Sequence, residues 1–281
     1  MGRRCLSSRV DVCIAINGPL VDPMLRMCLG SLERLLAQDT SSSRIDLHLV
    51  ITEGEPERGD PDQNVQIAQS WASKMSVQVH VHRPVLPVAL HSPSGLNITR
   101  YTDTNTALIC EWMVANCGVG EYIVISHFDL LFRENLIRWM VDTADGDANI
   151  GMIGAHDPIM LLRRAAYAQT HVGFRNISSM RAYPHHLRDR AGEYRIAIPP
   201  VNPEDGWPYQ KGGHEGLPIH GFDVGELLQL NVAWCGWRVV PAGSVIESKA
   251  MHLRSGSGYH GPGIDDLLRR NVERVLQNEG L

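Results

Sequence analysis

The sequence predicts an α/β fold with a mostly parallel central sheet and helices on both faces, in a single domain. Strand-like and helix-like segments alternate at the spacing typical of parallel strands joined by helical crossovers. The apolar run at residues 122–125 is aromatic or β-branched, as in a strand buried on both faces. It leads into His127 and Asp129, two polar side chains where the strand leaves the core. Ligands bind at that edge of open α/β sheets, so Asp129 is placed to hold a metal; the alternative is that both residues cap a turn.

The first five predicted elements form a β-α-β-α-β series: residues 10–16, 23–38, 45–51, 64–74 and 76–82. The strands are β-branched runs that stop at turn-forming residues, and the last of them alternates polar and apolar side chains. Leucines at helical spacing support the first helix.

A helix over residues 104–116 leads into the strand that ends at His127, and a helix over 135–145 and a strand over 148–154 follow. From residue 155 to 220 the chain is rich in Arg, His, Pro and Tyr, and its hydrophobic residues follow no sustained periodicity. This predicts irregular structure, with a short strand at 196–201 and a functional loop at 202–213. The closing elements are a helix, a strand and an amphipathic helix, at residues 222–234, 237–240 and 264–278.

Bulk properties exclude several classes of protein. Of 281 residues, 43% are hydrophobic and 20% charged, which argues against disorder or a coiled coil. The net charge of −5 is spread along the chain, so a nucleic-acid partner is not expected. Six scattered cysteines without a Cys-x-x-Cys pair predict buried, reduced thiols. No secretory signal or membrane-spanning segment is recognised, and the expected location is cytoplasmic.

The motifs taken together resemble those of the GT-A fold nucleotide-sugar glycosyltransferases, family-2-like group. His127-Phe-Asp129-Leu is similar to the His-x-Asp-Val variant of the family's Asp-x-Asp motif. The segment from His220 to Glu226 is similar to its Gly-Phe-Asp segment with an acidic base, and Cys235 to Val240 to its Gly-Tyr-Arg-Val. His252 then precedes a small, glycine-rich loop, and the resemblance runs in order over about residues 10–260.

The resemblance implies roles for residues in the donor half, 1–154, and in the acceptor and catalytic-base half, 155–281, of one continuous domain. Asp129 and His252 would bind Mn²⁺ or Mg²⁺. The positions implied to contact the nucleotide-sugar donor, with UDP favoured, are Ile16, Asn17, Glu53, Asn105, His127 and Arg254. The implied reaction is inverting transfer to a glycan or small-molecule acceptor, of the kind used in polysaccharide biosynthesis.

Asp223 and Glu226 are the candidates for the catalytic base, which must take a proton from the acceptor hydroxyl. They are three residues apart at the predicted start of a helix, so they would share a face near the positive end of the helix dipole. Asp223 is equally suited to be the N-cap of that helix. Glu226 is therefore favoured as the base, with Asp223 contacting the acceptor or capping the helix.

Other interpretations stay open at this point. A nucleotidyltransferase would be expected to carry a basic, glycine-rich loop after the first strand, and residues 17–22 contain no basic residue. A non-catalytic nucleotide- or carbohydrate-binding module with a decayed metal site is the main alternative, since the motif has a single acid. A zinc hydrolase built on His127, Asp129 and His252 is a more remote one, because it would need another strong donor that no motif marks. The C-terminal helix offers a surface for a homodimer.

Overall fold

A buried, apolar strand, β4, is the middle strand of the sheet around which this chain folds. The computed structural model describes residues 9–16, 21–38, 44–51, 60–84, 102–155, 158–170, 174, 225–253 and 262–281. In these ranges the strands are β1 Arg9–Ile16, β2 Arg44–Ile51, β3 Gln78–His82, β4 Tyr122–His127, β5 Leu130–Phe132, β6 Ile150–Ala155, β7 Ile159–Arg163, β8 Arg238–Val240 and β9 Ala250–His252. The helices are α1 Val21–Leu36, α2 Pro61–Ala72, α3 Thr102–Asn116, α4 Leu136–Gly146, α5 Arg164–Tyr167, α6 Glu226–Trp234, α7 Gly243–Lys249 and α8 Pro262–Glu279.

Within the described residues the main sheet has seven strands in the order β3-β2-β1-β4-β7-β6-β8. The pairs β1–β2, β2–β3, β1–β4 and β6–β8 are parallel, whereas β7 runs antiparallel to both β4 and β6. The short strands β5 and β9 form a separate antiparallel pair. The carboxyl ends of β1, β2 and β4 therefore meet at one edge of the sheet, beside the β5–β9 pair.

Apolar side chains cover both faces of the sheet. On one face, α1, α2, α4, α7 and α8 contribute to a core that includes Leu29, Ala68, Met140, Ile246 and Val272. On the other face, α3, α5 and α6 pack through residues such as Met113, Ala166 and Val232. The predicted fold class, a mostly parallel sheet with helices on both faces in a single α/β domain, is confirmed.

The segment after β6 differs from the sequence prediction. Ile159–Arg163 lies inside the region predicted to be irregular, yet it forms β7, a fully buried strand between β4 and β6. Its residues are buried on both faces, so the alternation that marks a half-exposed strand is absent. The strand predicted at 196–201 and the loop predicted at 202–213 lie outside the described residues.

Two further expectations concern cysteines and membranes. The five described cysteines, Cys13, Cys28, Cys110, Cys117 and Cys235, are free thiols, and all but Cys235 are buried. In the part of the chain that the structure describes, no helix combines the length and the hydropathy needed to cross a bilayer.

Candidate metal centre

Asp129, His127 and His252 come together where β4 leaves the sheet. His127 is the last residue of β4, and Asp129 lies in the two-residue turn between β4 and β5. On either side of Asp129, Phe128 and Leu130 are buried in the apolar core, which holds the turn in place. Asp129 therefore lies at the carboxyl end of a central strand, as predicted.

The β5–β9 pair brings His252 to Asp129. Leu130 lies opposite His252 in the antiparallel register. The Leu253 amide donates to the Asp129 carbonyl oxygen at 3.1 Å, so the backbones of the two segments are joined at the site itself. Further along, the amides of Arg133 and Glu134 donate to the Lys249 carbonyl oxygen at 2.9 and 3.0 Å.

A hydroxyl group fixes β5 against helix α1. The amide of Phe132 donates to Ser31 Oγ at 3.0 Å, and Ser31 Oγ donates to the Cys28 carbonyl oxygen at 2.9 Å. Ser31 is fully buried, so this hydrogen bond has no competition from water. Ser31 therefore helps to position the turn that carries Asp129.

The polar atoms of the cluster are close enough to share one cation. His252 Nε2 lies 3.1 Å from Asp129 Oδ1, and His127 Nδ1 lies 3.8 Å from the same oxygen. The two imidazole rings meet edge to face, with centroids 5.5 Å apart. One ligand atom from each of the three residues lies within 4.8 Å of the others. The Asp129 side chain is only 4% exposed, whereas His127 and His252 remain 20% and 15% exposed.

The surroundings keep a nearby thiol neutral. Burial, together with the negative charge of Asp129, raises the pKa of the Cys28 thiol far above its ordinary value. Cys28 is therefore a packing residue beneath the site rather than a thiolate ligand.

The donor set fits a divalent cation. A carboxylate and two imidazoles are ligands that Mn²⁺ accepts, whereas Mg²⁺ strongly prefers oxygen. With metal–ligand distances of about 2.1 Å, neighbouring ligand atoms on such a cation lie roughly 3 to 4 Å apart. Small side-chain rotations would therefore bring all three ligand atoms to bonding distance of one ion.

The remaining predicted site residues are less fully described. Ile16 is buried at the carboxyl end of β1, one residue beyond Ala15, which lies opposite His127 in the parallel register. Asn105 belongs to α3 and Glu226 is the first residue of α6, and for both the description is limited to the backbone. Asn17, Glu53, Asp223 and Arg254 lie outside the described residues.

One expectation about the base segment is wrong. Helix α6 begins at Glu226 and its N-cap is Gly225, with φ of 82°. Glycine takes this left-handed conformation without a steric cost, which explains why it occupies the cap. The N-cap position considered for Asp223 is therefore occupied by Gly225, and Glu226 is the first residue of the helix.

A second group of ligand-type side chains was not predicted. His48, His82 and Cys117 also offer one ligand atom each within 4.8 Å of one another. They come from β2, from β3 and from the residue after α3, and they lie on the α3 face of the sheet. The signal in the sequence was a histidine in the middle of an otherwise apolar strand and a histidine that ends the next strand.

No family model and no curated protein matches the chain. Among solved structures, a mannosyltransferase from Pyrobaculum calidifontis in complex with GDP-Man and Mn²⁺ is 12% identical, with a TM-score of 0.40, and the match covers 84% of this chain and 55% of that one. Mouse xyloside xylosyltransferase 1 is 11% identical, with a TM-score of 0.48 and coverage of 91% and 100%. The galactosyltransferase LgtC is 10% identical, with a TM-score of 0.35 and coverage of 68% and 66%.

This chain spans about half of the length of the mannosyltransferase. All three of these solved structures are glycosyltransferases by their descriptions.

Proposed function

We propose that this chain is a metal-dependent glycosyltransferase, which moves a sugar from a nucleotide-diphosphate sugar to an acceptor hydroxyl. The observation that carries the proposal is the cluster of Asp129, His127 and His252 at the carboxyl end of β4. Its position supports the assignment because ligands of open α/β sheets bind at this edge. We assign donor binding to residues 1–154 and acceptor binding to residues 155–281 of one continuous domain.

Asp129 and His252 are the proposed ligands of the cation, with Mn²⁺ favoured over Mg²⁺ by the imidazole donors. When bound, the cation would neutralise charge on the diphosphate leaving group. His127 lies slightly farther from the shared Asp129 oxygen and is more exposed, which suits a residue that orients the site or contacts the nucleotide.

The neighbouring residues support a donor site at the same edge. Ile16 ends β1 beside β4, which suits a contact with the nucleoside, and Asn17, Glu53 and Asn105 are proposed donor contacts on the resemblance alone. Arg254 follows the β9 segment that carries His252, and a guanidinium there would suit phosphate oxygens. We propose a UDP-sugar as the donor and a glycan or small molecule as the acceptor.

Glu226 is the proposed base. As the first residue of α6 it lies at the positive end of a helix dipole, which favours the ionised carboxylate that a base requires. In an inverting single displacement, this carboxylate takes the proton of the acceptor hydroxyl while the acceptor oxygen bonds to the sugar and the diphosphate leaves. Asp223 is proposed to contact the acceptor.

The test is release of nucleoside diphosphate from a panel of UDP- and GDP-sugars, with water as the minimal acceptor, in Mn²⁺ and in chelator. We expect release that needs Mn²⁺ and that falls by about 10²- to 10⁴-fold in Glu226→Gln, the usual contribution of a general base. Glu247→Gln, at an exposed glutamate on α7, is the matched control and should keep full activity.

The same assay separates the enzyme from a non-catalytic binding module. Nucleoside diphosphate that binds in the presence of Mn²⁺ without release from any sugar of the panel, even with glycan acceptors added, would favour the binding module. Release that persists in chelator would contradict the metal-dependent mechanism.

A further inference from the structure

A second candidate site lies on the α3 face of the sheet and shares no residue with the Asp129 centre. His48 projects from the middle of β2 onto the face that α3 covers, and the last residue of β3, His82, lies beside it. His48 Nδ1 and His82 Nε2 are 3.0 Å apart. Cys117, which follows α3, completes a group whose ligand atoms all lie within 4.8 Å of one another.

His48 has a buried carboxylate beside it, as metal-binding histidines commonly do. His48 is 3% exposed, and its Nε2 lies 3.5 Å from Asp11 Oδ1. Neither of these two buried atoms has a hydrogen-bond partner of normal geometry. The other oxygen of Asp11 accepts hydrogen bonds from the Gly120 amide at 2.7 Å and from Arg164 at 3.1 Å, which leaves Oδ1 directed at His48.

A metal ion on His48 would explain why His48 Nε2 and Asp11 Oδ1 face each other without a hydrogen bond. Histidines that bind a metal through one ring nitrogen commonly donate the other N–H to a carboxylate, which fixes the tautomer and the ring orientation. With Nδ1 of His48 on a metal, its Nε2–H would donate to Asp11 Oδ1. Both buried atoms would then gain the partner that they lack.

The donors are of the type that zinc prefers. Two imidazoles and a thiolate suit Zn²⁺, whereas Mg²⁺ and Mn²⁺ prefer oxygen ligands. Donors around a tetrahedral Zn²⁺ lie roughly 3.3 to 3.6 Å apart, so the observed group needs only small side-chain movements.

An ion can reach the site from solvent, and a bound ion would link three segments of the fold. Cys117 and His48 are buried, but His82 is partly exposed, so an ion can reach the group from the β3 side. β3 is the edge strand of the sheet. A shared ion would join this edge strand to β2 and to the segment that enters β4.

We propose that His48, His82 and Cys117 form a site for Zn²⁺ or a similar borderline-soft divalent cation, with a fourth position open to water and Asp11 orienting His48. This site is independent of the Asp129 centre and of the proposed glycosyl transfer. His80 stacks on His48 with ring centroids 4.9 Å apart, but it does not belong to the ligand group.

Cobalt titration of the full-length, reduced protein tests the proposal, because a Co²⁺–thiolate bond gives a charge-transfer absorption in the near ultraviolet. The Asp129 centre contains no sulfur ligand, so its Co²⁺ cannot give this band. We expect a saturable band in the wild-type protein and in Asp129→Ala, its loss on addition of Zn²⁺, and its absence in Cys117→Ser. Cys110→Ser, which removes a buried thiol of α3 outside the group, is the matched control and should keep the band.

Histidine and carboxylate variants extend the test. We expect His82→Gln to weaken Co²⁺ binding by tenfold or more and Asp11→Asn by about 10- to 100-fold, as for other partners that orient a ligand. His80→Gln should bind as the wild type does. Absence of a thiolate band in the wild-type protein would overturn the proposal without any variant, and a band that survives in a folded Cys117→Ser protein would overturn the ligand assignment.

Discussion

His252 Nε2 lies 3.1 Å from Asp129 Oδ1, although 123 positions separate the two residues in the chain. The contact depends on the β5–β9 pair, which places Leu130 opposite His252. Two ligand-type side chains from distant segments thus converge at the carboxyl end of β4. The proposed metal centre is built on this relationship.

The two histidines of the centre should differ in their effect on Mn²⁺ affinity. His127→Ala removes the residue proposed to orient the site, and we expect affinity to fall by about 10- to 100-fold. His252→Ala removes a proposed ligand and should weaken binding further. Titration followed by the electron paramagnetic resonance of free Mn²⁺ measures both. Equal losses would make His127 a direct ligand as well.

Ser31→Ala should destabilise the fold by about 1 to 3 kcal/mol, because it leaves the buried Phe132 amide without its hydrogen-bond acceptor. Urea unfolding gives the free energy. Ser73→Ala is the control, since Ser73 makes the same type of bond to the carbonyl three residues earlier but is exposed. A loss at Ser31 no larger than that at Ser73 would contradict the positioning role given to this hydroxyl.

Gly118→Ala should be strongly destabilising. Gly118 has φ of 65°, and a Cβ there would overlap the buried Asp11 carboxylate. We expect a loss of about 3 kcal/mol or more, from left-handed strain and overpacking together. Gly236→Ala is the control because its φ is 88° and nothing lies within 4 Å of an added Cβ, so only the strain of about 1 to 2 kcal/mol remains. Thermal or urea unfolding that gives equal losses would disprove the overlap.

Asp11 should contribute to stability in a pH-dependent way. Burial alone would raise the pKa of Asp11, but the neighbouring His48 imidazole and the hydrogen bonds from the Gly120 amide and Arg164 outweigh burial and hold the pKa below its ordinary 3.8. A lowered native pKa means that the contribution is complete only above the ordinary pKa, from about pH 5 upward, and is lost as the pH falls through the native value.

The comparison with Asp11→Asn measures that contribution. The difference in unfolding free energy between wild type and variant, measured in chelator, should shrink from about pH 5 to about pH 2. Asp142→Asn, on the exposed side of α4, controls for the loss of one charge. A difference that stays constant over this range would show that the carboxylate makes no ionisation-linked contribution.

The position of Asp129 at the end of a buried strand could be predicted from the sequence, because an apolar run that ends in polar residues is a local signal. The sequence was also sufficient for most strands and helices, whose periodicity is local. β7 was missed because Ile159–Arg163 is buried on both faces and lies in a segment dominated by Arg, His and Pro. The capping role considered for Asp223 was wrong because Gly225 can adopt the left-handed conformation there.

The second cluster could not be found from spacing. His48, His82 and Cys117 belong to three separate segments, and their proximity depends on the register of β2 with β3, in which His48 lies opposite His80 and Val50 opposite His82. A shift of one residue would turn these side chains to the opposite face. Register is a property of the whole sheet, and no single segment specifies it.

Calorimetric titration of UDP and GDP into the protein, with Mn²⁺ and with chelator, tests the metal centre most directly when Asp129→Ala and Asp142→Ala are measured beside the wild type. We expect nucleotide binding that requires Mn²⁺, that Asp129→Ala abolishes and that Asp142→Ala retains. Binding of neither nucleotide under any metal condition, or equal binding by a folded Asp129→Ala protein, would contradict this expectation.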